Sequence, residues 1–379
     1  MPKISPTNPV VPRAKSVYAP AITTRTGART MHTSRSSFLG SLTLITACAL
    51  GAVTAHAQPN PYAAVDGWAK LPDGRTMGAV GDTDVDPDGT SIWAIIRCDA
   101  IAPDRFGDEC VDSDLDSILK FDAEGNVVES FGGGMFIWPH GIDVDRQGNV
   151  WVTDAAASGR IPAGDKRGHQ VVKFSPTGEV LMTLGTPGQA GSGNNQFDAP
   201  ADVVVAEDGS IFVADGHGAT GNNRVVKFAP DGTFLKAWGK TGYAPSEFRT
   251  LHTIAIDQRG RVFVGDRSNN RLQLFDQEGT FLAQWTQYGR PSGIFFDNHD
   301  NIYVADSESD DEQNPGWEMG IRIGDANLGW VHYFIKLPWG DPRSTTGNGA
   351  EFVSVDAAGN IFGGEPAPRK LQRYVRVRP

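Results

Sequence analysis

No stretch of these 379 residues carries a long amphipathic helical pattern, which argues against a helical fold. The apolar run FLGSLTLITACALGAV is too short to be read as a membrane span. Cysteine is scarce, with three in the chain. The first 57 residues contain no acidic side chain at all, against six basic ones: Lys3, Arg13, Lys15, Arg25, Arg29 and Arg35. Basic start, apolar run and Ala55-His56-Ala57 together read as a secretory signal, with Met31 as its natural start and cleavage near Ala57. Ile45-Thr46-Ala47-Cys48 loosely resembles a lipoprotein box, but apolar sequence continues well past Cys48, which favours Ala57. The expectation is a periplasmic or secreted protein whose folded part is residues 58–379, with no transmembrane segment in that part.

Setting those six basic residues aside takes the net charge from −11 to −17. Such an acidic surface repels a phosphate backbone and excludes nucleic acid as the expected partner. Cys98 and Cys110 are then an even pair in an exported chain, so a disulfide is expected, with two buried thiols as the alternative.

Glycine (45) and proline (24) are abundant and evenly scattered, as in a fold of many short strands and turns. One unit recurs. GIDVDRQGNVWVTDA with HQVVKFSPTGEVLMTLG reads as strand, Gly turn, strand, loop, strand, Gly turn, strand. ADVVVAEDGSIFVADG, HTIAIDQRGRVFVGDR and SGIFFDNHDNIYVADS repeat its first half, and weaker copies lie at both ends. Six units of four antiparallel strands, spaced roughly 40–60 residues apart, predict a six-bladed β-propeller. The region near Trp68 is expected to supply a ring-closing strand.

In a propeller the first strand of each blade lines the central channel, so equivalent positions form a ring. Counting five residues back from the Asp of D-x-x-G, the ring reads Gly81, His140, Ala201, His252, Ser292, Glu351. Alternate blades carry His, His and Glu; the others carry small residues. A lone histidine there is read as a strand cap, but three ligand-type side chains converging on one axis favour an open metal site of His140, His252 and Glu351. At the end of the second strand the ring reads Arg97, Ala155, Gly216, Arg267, Ser307, Pro366. Two guanidinium forks at one mouth suit a carboxylate-bearing ligand; the alternative for Arg267 is a salt bridge to a loop acid such as Asp266.

The punctuation G-N-x-x-[VW]-x-D and N-N-R-x-x-x-F resembles NHL repeats. WPHGIDVDRQGNVWVTDA, HQVVKFSPTGEV and LHTIAID…GDRSNNRLQLF resemble the peptidyl-α-hydroxyglycine amidating lyases, over most of the chain from about Gly78. That resemblance implies a divalent transition metal, zinc with iron(II) as the alternative, held by three histidines on alternate blades. His140 and His252 match two of them, and Glu351 stands where the third is expected. Arg97 and Arg267 match the family's substrate arginines. Where the family has a catalytic tyrosine after Asp-Gly, this chain has His217, read either as a proton carrier or as an ordinary loop residue. The family's structural calcium is in question, because Phe352 replaces its acid. His169, His299 and His332 converge on nothing and are read as structural.

Three functions therefore compete: a metal-dependent lyase that splits a carbinolamide C–N bond, a lactonase-type propeller hydrolase, and a non-catalytic propeller that binds a ligand or partner. The stretch Ser307 to Phe334, with Trp317 and Trp330, is expected to be an insertion that roofs the mouth or decorates the rim. Its acidic start, Glu308 to Glu312, is expected to be solvated.

Overall fold

An Asp-x-x-Gly turn joins the first two strands in four of the six blades. In blade two, Gly148 donates its N–H to the Asp145 carbonyl (2.8 Å), while the Asp145 carboxylate accepts the Asn149 N–H (2.9 Å). Gly148 needs φ of 80°, which glycine adopts without steric cost. Blade five has Asp300 there at φ 60°; aspartate is one of the few other residues that visits this region.

The computed structural model describes residues 58–100, 109–218, 220–337 and 349–377. It contains six four-stranded antiparallel sheets and no α-helix among the described residues. The protein is a six-bladed β-propeller. Its inner strands are Ala79–Val85, Pro139–Val144, Pro200–Val205, Leu251–Ile256, Pro291–Phe296 and Phe352–Val355; each touches the next, and the last touches the first. The signal-like residues 1–57 lie outside the described residues.

Blade six takes its outermost strand from the other end of the chain. Tyr62–Val65 pairs antiparallel with Lys370–Arg376, so the closing strand lies just upstream of Trp68. Trp68 packs on Phe362, with ring centroids 4.7 Å apart. Between blades, one aromatic per second strand (Trp93, Trp151, Phe212, Phe263, Tyr303, Phe362) is buried in the apolar layers. Such side chains bury roughly 150–250 Å² each and dominate the packing.

Blade five corrects the reading of the Ser307–Phe334 stretch. Gly320–Asp325 and Val331–Lys336 are its third and fourth strands, so only the loop before Gly320 is extra.

An inner strand has a free edge toward the channel, and its N–H groups need acceptors. Aspartates of the preceding blade supply them. Asp82 accepts from Ile142 N–H (3.0 Å), Asp84 from Val144 (2.7 Å), Asp143 from Val205 (3.2 Å) and Asp202 from Ile254 (2.9 Å). Burial raises all four carboxyls, Asp84 and Asp202 to about 7.

Candidate metal centre

Buried acids at the ends of the second strands fix the segments that lead into the channel. Asp154 accepts the backbone N–H groups of Ile137 and Trp138 (both 2.9 Å), which sets where Pro139–Val144 begins and so where His140 sits. Asp266 does the same through Arg249 N–H (2.8 Å) for the strand that carries His252. Glu351 is held by its own N–H, which donates to the Gly364 carbonyl (2.7 Å).

These three side chains are buried and meet. With His217 they present ligand atoms that all lie within 4.8 Å of one another. His140 Nδ1 is 2.7 Å from the Ala201 carbonyl, and His252 Nδ1 is 2.7 Å from the Ser292 carbonyl. A carbonyl only accepts, so each Nδ1 carries the hydrogen and each Nε2 is a bare lone pair. Both Nε2 atoms are buried without a hydrogen-bond partner. The small ring residues thus do more than leave room: the backbones of Ala201 and Ser292 orient the imidazoles, as the outer partners of metal-bound histidines do.

His252 Nε2 lies 3.2 Å from Glu351 Oε1. A lone pair facing a carboxylate oxygen is two acceptors in contact, repulsive unless a proton or a metal cation stands between them. The donor chemistry therefore fits a divalent metal. Burial, then the neighbouring His217, holds His140 well below its usual pKa; burial, then Arg267, does the same for His252. Neutral imidazoles are what a metal needs. Phe352 packs against both rings, 5.2 Å from that of His140 and 5.3 Å from that of His252.

The arginines also arrive. Arg97 Nη2 is 3.8 Å and Arg267 Nη1 3.7 Å from Glu351, both side chains being buried. Arg267 does not pair with Asp266, which binds Arg271 instead (2.7 Å). Its nearer ionic partner is Glu308 (3.2 Å), and its Nε makes no hydrogen bond. Glu308 is therefore no solvated loop acid, since it also contacts Arg290 at 3.2 Å. Sequence reasoning missed Glu308 and Arg290, and it missed Trp138, whose ring lies beneath Arg160 (3.7 Å) and beside Arg97 (5.3 Å). Trp138 stands two residues before His140 in the same motif, which was its only signal. Cys98 and Cys110 form a disulfide beside Arg97. His169 is structural, its Nδ1 accepting the Ala199 N–H (3.0 Å).

The family model for the NHL repeat matches residues 197–228. The chain carries an NHL repeat. It is 38% identical over 134 residues to the mouse (Mus musculus) NHL repeat-containing protein 3, a match covering 34% of this chain and 36% of that protein. It is 36% identical over 155 residues to the probable peptidyl-α-hydroxyglycine α-amidating lyase pgal-1 of Caenorhabditis elegans, covering 40% of each. These matches thus span less than half of either relative, and within them the resemblance to the amidating lyases holds. A gluconolactonase from Xanthomonas campestris shares the fold at 13% identity and a TM-score of 0.51, covering 79% of this chain and 86% of that one.

Proposed function

We propose that the protein is an exported, metal-dependent lyase of amidating-lyase type, acting on a carboxylate-bearing carbinolamide. The observation that carries the reading is the contact between the bare His252 Nε2 and Glu351 Oε1 at 3.2 Å, beside the equally bare His140 Nε2. His140, His252 and Glu351 would hold the metal, zinc or iron(II) by ligand type. When bound, such an ion supplies a Lewis acid for the substrate hydroxyl oxygen. Arg97 and Arg267 hold the substrate carboxylate, and the open Nε of Arg267 is a donor ready for it. His217 takes the hydroxyl proton as the C–O bond becomes a carbonyl and the C–N bond breaks. It then returns that proton to the departing amide nitrogen, giving an amide and glyoxylate.

Export is supported by the signal-like residues 1–57 and by the disulfide. No helix among the described residues is long and apolar enough to cross a membrane. The lactonase alternative calls for a carboxylate-rich calcium site, and an imidazole-rich donor set speaks against it. The test is release of glyoxylate from a peptidyl-α-hydroxyglycine by metal-loaded protein; a loaded protein that releases none contradicts the lyase assignment.

A further inference from the structure

The second strand of blade three, Ile211–Asp215, delivers His217 to the mouth across Gly216. Gly216 sits at φ 143°, where a Cβ would also collide with the Asn223 backbone nitrogen, so glycine is required there. The His217 N–H donates to the Ala199 carbonyl (2.7 Å), which fixes the backbone below the ring. The ring then stands 4.5 Å from that of His140 and 5.0 Å from that of His252.

Three features separate His217 from the other two imidazoles. Its ring nitrogen belongs to the same donor group, within 4.8 Å of the others. Two donors on one ion lie at most roughly 4.2 Å apart, twice a metal–nitrogen bond, so the group needs to contract only slightly around a metal. Among the described residues, no hydrogen bond reaches either of its ring nitrogens, whereas His140 and His252 are locked through Nδ1. It is also the one donor of the four that is half-buried, while Phe352 closes the site behind His140 and His252.

We propose that His217 is a fourth metal donor while no substrate is present, giving a resting sphere of three imidazoles and one carboxylate, and that an incoming ligand displaces it. This rests on the metal reading of the site. A neutral imidazole nitrogen has one lone pair, which binds a metal or accepts a proton but not both. Four protein donors close a four-coordinate sphere, and a closed sphere is structural rather than catalytic. Catalysis therefore requires one donor to leave. The unlocked, mouth-facing His217 is that donor, and leaving frees it to carry a proton.

The test uses cobalt(II) as the probe metal, added to metal-stripped full-length protein in competition with a chelator and followed by visible absorption. The variants are His217→Ala, His217→Phe, which keeps a ring without a donor atom, and His140→Ala, with folding checked by circular dichroism. The expected result is one cobalt site in both folded His217 variants, weakened at least roughly tenfold, the lower end of what losing even an outer-shell partner costs. Their spectra should differ from that of the parent, and at saturating glyoxylate the parent and variant spectra should become alike, because the ligand then stands where His217 stood. Parent affinity and spectrum in folded His217→Phe, with cobalt lost in His140→Ala, would overturn the fourth-donor proposal and leave the three-donor site standing. Failure of the parent protein to bind cobalt would overturn both.

Discussion

His252 Nε2 and Glu351 Oε1 lie 3.2 Å apart, and the Nδ1 of that histidine is committed to the Ser292 carbonyl at 2.7 Å. They come from blades four and six and share one register position on their inner strands. Sheet packing alone gives no reason to bury two acceptors face to face at the channel mouth.

Arg97 and Arg267 flank Glu351 at 3.8 and 3.7 Å, and the proposed function gives them the substrate carboxylate. Arg267→Lys keeps the charge but loses the planar pair of donors, so its affinity for glyoxylate, measured by calorimetry, should fall at least about tenfold. Unchanged binding in both Arg97→Ala and Arg267→Ala proteins would make the two residues structural.

Glu308 contacts Arg267 and Arg290 at 3.2 Å each, so on the proposed function a ligand carboxylate would compete with it for both. Glu308→Gln should tighten glyoxylate binding about three- to tenfold, the scale of roughly 1 kcal/mol expected for a partly exposed pair. Weaker binding in this variant would show instead that Glu308 positions the arginines.

The ring of His140, His252 and Glu351 was legible because the Asp-x-x-Gly turn counts residues along the strand, even in the degenerate sixth blade. The outer strands of blade five were not, because a loop reaching from Glu308 to Met319 separates them from the pair Pro291–Phe296 and Asn301–Asp306. The Glu308 contacts were hidden for a similar reason: Arg267 lies between the second and third strands of blade four, Arg290 enters blade five and Glu308 follows its second strand, and only the packed ring brings them together. The direction of the His217 ring depends on the φ of Gly216, which no pattern of residue types encodes.

The buried aspartates make stability depend on pH. Asp84 and Asp202 have folded values of about 7, raised first by burial, above the ordinary 3.8. A raised folded value means that their contribution is complete below the ordinary value and is lost as pH rises through about 7. Thermal stability should therefore decline from pH about 5.5 to about 8. Asp143→Asn keeps an acceptor for the Val205 N–H and removes a charge facing Asp84 and Asp202. It should raise Tm at the higher pH by roughly 1–2 °C, the shift of about 1 kcal/mol in a domain this large. A lower Tm there would show that Asp143 acts as an ionised acceptor.

The Cys98–Cys110 bridge spans 12 residues, a loop whose closure is worth about 2–3 kcal/mol in the chain-entropy account. Mature protein should show no free thiol by mass spectrometry, and reduction should lower the unfolding midpoint. Two free thiols in the exported protein would remove the bridge from the account.

The most direct measurement is elemental analysis of the untagged, exported protein beside its His140→Ala, His252→Ala and Glu351→Ala variants. The account predicts about one equivalent of a divalent transition metal in the parent, and a large loss in each variant while circular dichroism still reports the propeller. Full metal retention in His140→Ala, or a folded and metal-free parent that takes up none when supplied, would contradict it.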